Sequence, residues 1–483
     1  MTENGFNCFF LPLHGTKQST MIPNKCLRML AFLLAMLPLT LHSQTNYNPI
    51  IPDMIADPSI VKFGDTYYCY ATTDGYGRGL ATSGPPVVWK SKDFVNWSFN
   101  GILFPSMKNQ LYWAPSKVVK ANGKFYLYPT LNANIYAAIS KSPEGPFRLA
   151  NGADTLDGPG APKPMVYMKG PRNSKGIDAE IFTDDNGQSY MFWAQRGASK
   201  LNKDMITLDT VVNIMDTKRR GYSEGPIFFK RKGIYYYLYT MDGNENYKYA
   251  YVFSKVSPVG PFDYPEKDII SSTSRSANIY GPGHGCVFNE PGTDKYYFVY
   301  LEFGIGGTNR QVWADELHFN EDGTIEPVIL TSAGVGALSK NKAKPNLALG
   351  KKATASSAAP DYKVRPIKDP LMYRVENYDP ANALDACNGT RWLAAPGDST
   401  ATFTLDLGAV TKINQTDLYF NRPTAGHAYR MEYSTDGSSW FRCGGHADLR
   451  VQSPHTDKPG VKARYLKVSI LKGSPGIWEM KVY

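Results

Sequence analysis

Five stretches of this chain share one pattern of positions: a leading polar or aromatic residue, a short apolar run, a Gly-bearing turn, and a second run rich in Tyr and Phe. They are IADPSIVKFGDTYYCYAT from Ile55, WAPSKVVKANGKFYLYPT from Trp113, DAEIFTDDNGQSYMFWA from Asp178, EGPIFFKRKGIYYYLYT from Glu224 and HGCVFNEPGTDKYYFVYL from His284. Two alternating runs about such a turn predict a β-hairpin. The leading residues Asp57, Trp113, Asp178, Glu224 and His284 are 46 to 65 positions apart, which is the length of a blade of four short strands. Propeller repeats bury their faces only against neighbours, so residues 46–331 are expected to close into a five-bladed β-propeller.

The first run of each hairpin, IVKF, KVVK, EIF, IFF or CVF, is nearly all apolar and is expected to be the buried innermost strand. If the leading residue sits at its axial end, all five leading side chains meet in one pocket. The runs Val87 to Trp97, Ile135 to Phe147 and Tyr249 to Phe262 read as outer strands. Residues 332–345 are poor in large apolar side chains and read as a linker. Residues 346–483 return to short alternating segments, TFTLDLG, DLYFN, YRMEYS and YLKVSI, which predict a β-sandwich. The expected fold class is therefore all-β, a propeller followed by a sandwich.

Composition agrees with this. The 43 Gly and 34 Pro suit a turn-rich all-β chain, and 483 residues are more than one core usually serves. Lys25 and Arg28 precede an apolar run from Met29 to Leu41 that ends at small and polar residues, so residues 1–44 read as a leader with a cleaved secretory signal. The run is too short to span a bilayer, so a periplasmic or secreted protein without membrane insertion is expected, with Met21 as an alternative start. The net charge of +10 becomes +8 without the leader. No Lys/Arg stripe interleaves with aromatics, which argues against nucleic acid as a partner. Cys69, Cys286, Cys387 and Cys443 lack zinc-ligand spacing and read as buried thiols, with a Cys387 to Cys443 bridge as the alternative.

Three of the five convergent positions are carboxylates. Breaking a glycosidic bond needs a proton donor for the leaving oxygen and a second carboxylate that activates water or attacks the sugar. Partial burial favours the acid form of a Glu, so Glu224 reads as the general acid, Asp57 as the base and Asp178 as the group that modulates and orients Glu224. Any one of these acids alone could equally cap a turn. Trp113 reads as an aromatic wall of a sugar pocket or as a core Trp between blades. His284 could hold a cation or water at the channel centre or donate to a carboxylate, and Arg310 could balance the charge of the acids or be an ordinary surface Arg.

With ADPSI, IDAEIF, SEGPIFF and SPEGPF in place, the propeller resembles glycoside hydrolase family 43. The resemblance implies an inverting reaction with Asp57 as general base, Asp178 as pKa modulator and Glu224 as general acid. The segments NLALGKKATASS, ANALDACNGTRW, YSTDGSSW and ARYLKVSI resemble the discoidin or coagulation factor 5/8 type C fold, which includes carbohydrate-binding modules. That likeness implies a structural calcium near Asp385 and Thr390 with Glu479. The chain departs from the family's Gly and Asn at Ala386 and Cys387. His427, Arg422 and Tyr429 are candidates for sugar contacts from exposed loops.

The expected function is an exo-glycosidase that removes arabinofuranosyl or xylosyl residues from plant polysaccharide side chains. Alternatives are a galactan- or galactofuranose-directed glycosidase, a retaining five-bladed enzyme, and a non-catalytic glycan-binding protein. The expected partner is an oligo- or polysaccharide, no cofactor is expected for the chemistry, and the protein is expected to be a monomer.

Overall fold

The computed structural model describes residues 47–74, 83–168, 176–304, 310–338, 344–365 and 374–483. The expected leader lies outside them. Among the described residues there is no α-helix; strands, turns and short 3-10 segments make up the fold.

Five antiparallel blades follow one another along the chain. Blade 1 runs Ile55–Phe63, Thr66–Thr73, Val88–Ser91 and Trp97–Asn100. Blade 3 starts at Glu180–Thr183, blade 4 at Ile227–Arg231 and blade 5 at Pro282–Asn289. In blades 1, 3, 4 and 5 each first strand pairs with the Tyr- or Phe-rich run of its hairpin, as the alternation predicts. Blade 2 departs from the simple plan. It splits into two four-stranded sheets, one led by Tyr112–Trp113 and the other by Val119–Ala121. Ala114 with φ 35° and Pro115 interrupt the innermost strand between them. As a result KVVK is only partly buried.

The ring closes between blades 5 and 1. The Ile60 amide donates to Cys286 Sγ at 3.2 Å, and Tyr67 Oη donates to Glu290 Oε2 at 2.8 Å. Blade 5 has three strands of its own. The segment beginning at Tyr47 runs along its outer edge: the Ile50 amide donates to Val312 O, and the Asn48 side chain bonds Ala314 in both directions. Stacked aromatics seal the blade interfaces, as where Phe192 lies 4.2 Å from Phe228 across blades 3 and 4. Such a pair contributes roughly 0.5–1.5 kcal/mol beyond its buried area.

The second fold is a sandwich of two antiparallel sheets. One contains Lys352–Ala355, Thr402–Ile413, Val461–Lys472, His427–Ser434 and Phe441–Arg450; the other contains Trp392–Leu393, Gly476–Val482, Thr416–Phe420 and His455–Asp457. Trp392, Phe403, Leu418, Phe420, Met431, Leu466 and Ile477 fill the space between them.

Two features differ from beads on a flexible string. The expected linker is not a free tether over residues 332–338: Ser332 and Ala333 carbonyls accept from the Asn48 and Tyr47 amides, and Val335 and Leu338 pack on the blade 1 core. Residues 339–343 lie outside the described set. In addition, Gln452–Ser453 of the sandwich pairs antiparallel with Trp97–Asn100, adding a fifth strand to blade 1. Lys481 Nζ donates to Asn96 Oδ1 at 2.8 Å beside it. All four described cysteines are free thiols, which corrects the alternative of a Cys387 to Cys443 bridge.

Candidate active site

The innermost strands do not run straight to the axis. A register shift interrupts blade 1 between Ala56 and Ser59, and another interrupts blade 5 between Gly283 and Gly285, so Asp57 and His284 each sit on a bulge. A bulge re-aims a side chain out of the pleat. Asp57 (φ 52°) and Asp178 (φ 62°) occupy the left-handed region, as does Gly225 (φ 52°) next to Glu224. Non-glycine residues in this region cost energy that the surrounding structure must offset, and such residues cluster at functional sites.

A threonine from the neighbouring strand braces each of the three acids' segments. The Thr72 hydroxyl donates to Asp57 Oδ2 at 2.6 Å and accepts from the Ala114 amide of blade 2 at 2.7 Å. Thr130 Oγ1 accepts from the Asp178 amide at 3.0 Å. Thr240 Oγ1 accepts from the Glu224 amide at 2.9 Å and donates to the Glu224 carbonyl at 2.6 Å. These threonines close the runs YAT, YPT and LYT in three of the repeats, a signal present in the sequence but not read from it.

Around the axis the acids converge. The Gly225 amide donates to Asp178 Oδ2 at 3.3 Å, tying blade 4 to blade 3. His284 Nδ1 stands 3.6 Å from Asp57 Oδ1 and 3.6 Å from Asp178 Oδ2. That is too long for a hydrogen bond but close enough for a protonated imidazole to act as counter-charge to both. A Cβ on Gly225 would lie 2.8 Å from His284 Cγ, so only glycine admits the ring there. Glu224 is partly buried, as expected, and Asp178 is buried more deeply. Burial, and then the charges of Glu224 and Asp57, push the Asp178 carboxyl up to about 7, against the lowering effects of His284 and the Gly225 amide.

Two phenols hold Glu224. Tyr222 Oη donates to Oε2 at 2.9 Å, and Tyr247 Oη donates to Oε1. Neither was singled out in the sequence, although Tyr222 lies two residues before the acid. Arg310 is 5% exposed and makes a bidentate pair with Asp74 through Nε and Nη2, so it is not a surface residue. Its charge also reaches Asp57 and Tyr247, consistent with balancing the acids. Trp113 is half-buried, two strands from Asp57 by way of Thr72 and Ala114, and its indole nitrogen has no hydrogen-bond partner.

The residues expected at a cation site in the sandwich also come together. Thr390 Oγ1 donates to Asp385 Oδ2 at 2.8 Å, and the Cys387 amide donates to Asp385 Oδ1 at 2.9 Å. Glu479 is fully buried, and neither of its carboxylate oxygens has a hydrogen-bond partner. Burial pushes its carboxyl well up against the lowering charge of Lys481, and Asp385 adds to the rise. Ala386 adopts φ 59°, in the left-handed region that favours glycine. Among the described residues no group of three His, Cys, Asp or Glu is placed to ligate a metal. Two carboxylates, a hydroxyl and nearby carbonyls nonetheless form an all-oxygen set that fits a hard cation.

The expected sugar contacts of the sandwich are corrected at two of three positions. His427 and Tyr429 are 0% and 1% exposed and lie on a core strand, His427 stacked on Phe420 at 4.6 Å. They belong to the strand His427–Ser434, where the facing sheet covers them, and not to a loop. Arg422 is exposed.

Comparison with known proteins bears on this arrangement. The profile for glycosyl hydrolases family 43 matches residues 46–325, and that for the F5/8 type C domain matches residues 352–481. The chain is 31% identical to the β-D-galactofuranosidase xynD of Aspergillus niger over 356 residues, covering 66% of this chain and 98% of that protein. It is 27% identical to xylosidase/arabinosidase 43B of Humicola insolens, covering 53% of this chain and 48% of that protein. A solved structure described as a glycoside hydrolase superposes with a TM-score of 0.86 at 56% identity, covering 90% of this chain and 98% of that one.

Proposed function

The chain belongs to glycosyl hydrolases family 43, and from that membership we propose that it is an inverting exo-acting furanosidase of plant or fungal glycans. The observation that carries the reading is the convergence of Asp57, Asp178 and Glu224 from three blades, with His284 between the first two. Asp57, oriented by Thr72, takes a proton from water as the water oxygen bonds to the anomeric carbon. The bond from that carbon to the leaving oxygen breaks, its electron pair stays on the oxygen, and Glu224 supplies the proton. Asp178 fixes the Glu224 segment through the Gly225 amide, and burial pushes its own carboxyl up to about 7. Trp113 supplies an apolar face for the sugar ring, and Arg310 balances the charge at Asp57.

A terminal β-D-galactofuranosyl residue is the favoured glycone, on the strength of the 31% identity to the Aspergillus niger protein across nearly its whole length. α-L-Arabinofuranosides present the same ring configuration with one carbon fewer, so the arabinofuranosyl expectation stands as the second reading. In the sandwich, Asp385, Thr390 and Glu479 would hold a structural calcium, and the basic and apolar leader supports export to the periplasm or medium.

Hydrolysis of 4-nitrophenyl β-D-galactofuranoside, α-L-arabinofuranoside and β-D-xyloside, with proton NMR of the first-formed anomer, tests this. Inverted product from a furanoside is expected, and loss of turnover in Asp57→Asn. Initial retention would overturn the mechanism, a preference for xyloside would overturn the furanoside assignment, and no turnover on any of the three would favour a glycan-binding protein.

A further inference from the structure

The two oxygens of Glu224 face different surroundings. Tyr247, on Oε1, belongs to the interior: its ring lies 6.1 Å from Phe303, and a Cβ on Gly283 would come within 2.8 Å of it. Its phenol has Asp57 and Arg310 as further charged neighbours, so it looks across the pocket toward the opposite acid. Tyr222, on Oε2, is 55% exposed, and its charged neighbours are Glu224 and Asp178. The backbone that follows it is nevertheless held at Ser223 and Glu224. Ser223 O accepts from the Gln195 amide at 3.0 Å, and the Glu224 amide is bonded to Thr240. A fixed backbone therefore presents an aromatic ring to solvent with its hydroxyl on the proposed acid.

In a glycosidase with two opposed carboxylates, the acid stands at the glycosidic oxygen, where the glycone ends and the leaving group begins. The glycone lies on the side of the base, which is the side of Tyr247. The solvent side of Glu224 is where the leaving sugar must go, and Tyr222 is the ring that stands there. We propose that Tyr222 is the leaving-group platform of this enzyme, its ring face packing against the first sugar beyond the scissile bond while its hydroxyl keeps Glu224 aimed at the glycosidic oxygen. The ligand class is a carbohydrate aglycone with an apolar face. This rests on Glu224 being the general acid.

A furanosyl fluoride carries no leaving sugar and needs no proton at the departing atom, so it separates the two ideas. Tyr222→Ala removes both the ring and the hydroxyl on Glu224; it is expected to raise KM on a galactofuranosyl- or arabinofuranosyl-oligosaccharide by about five- to tenfold, the worth of one stacked ring, to lower kcat there as well, and to cost the matching furanosyl fluoride much less. Tyr222→Phe keeps the ring, so its KM on the oligosaccharide should stay near wild type while the pH profile on that substrate shifts. Equal losses on fluoride and oligosaccharide, or no loss on either, would overturn the platform. Glu224→Gln checks the underlying reading separately: it should abolish oligosaccharide turnover and spare the fluoride, and a loss of both would sink the acid role whatever Tyr222 does.

Discussion

The Thr72 hydroxyl gives its proton to Asp57 Oδ2 at 2.6 Å while accepting the Ala114 amide at 2.7 Å, so one side chain joins the proposed base of blade 1 to the backbone of blade 2. Thr72→Val keeps the shape and removes both bonds. A hydrogen bond to a charged group contributes about 1.5–3 kcal/mol, so kcat/KM should fall roughly 10- to 100-fold. The Ala114 amide is left unpaired, costing about 1–3 kcal/mol of stability in a urea melt. Thr72→Ser should recover most of both.

His284 lowers the Asp178 carboxyl from where burial and the two other acids would put it. Replacing it with Gln removes that effect, so the titration at about 7 moves upward. The neutral, proton-holding form of Asp178 then persists to higher pH. Isotope-edited infrared spectroscopy of the carboxyl stretch should show the shift, and a downward or absent shift would count against the counter-charge role of His284.

Calcium should stabilise the sandwich through Asp385, Thr390 and Glu479. At a concentration a hundredfold above Kd the gain is about 2.7 kcal/mol, read as a rise in Tm. Because the Glu479 carboxyl is pushed well up, binding must displace a proton, and affinity should weaken as pH falls. Glu479→Gln should melt at the same temperature with or without calcium.

Buried histidines make the sandwich sensitive to acid. Burial holds His427 down to about 4 and His455 down to about 3, both from 6.5. His446 Nε2 lies 2.9 Å from His455 Nδ1, and Arg450 also opposes a charge on His455. Between those values and 6.5 the unfolded chain binds protons that the folded chain does not, so stability falls as pH drops through that window. For His427 the full effect is about 3 kcal/mol. His427→Phe loses the bond between Nε2 and Ser474 O and should be less stable at pH 7.5, yet the gap should close toward pH 4.5 in paired Tm measurements.

The hairpins were legible because each alternates about a glycine turn, and the leading acids because a repeat puts equivalent positions at one axis. Blade 2 was harder. Its run KVVK has the right pattern, but Pro115 and the left-handed Ala114 break the strand ahead of it, and a local period does not register a kink. Arg310 could be read either as a charge balancer of the acids or as a surface Arg, because the partner that decides, Asp74, is more than two hundred positions away. Tyr247 was hidden because what gives it meaning is the packing of blade 5 against blade 4 at Gly283, a contact between blades that a pattern read within one hairpin does not contain. His427 and Tyr429 were misplaced because a polar-capable ring in a short strand reads as a loop contact until the opposite sheet is seen to cover it.

The strand Gln452–Ser453 that completes blade 1 has a consequence for how the protein is made. Trp97–Asn100 leaves the ribosome long before its partner strand exists. At ordinary rates of synthesis the delay is roughly tens of seconds, during which an unpaired outer edge bearing Trp97 and Phe99 can pair with another chain. The C-terminal part of the sequence thus acts as a late-arriving clasp, and the outer edge of blade 1 is covered only when translation is nearly complete.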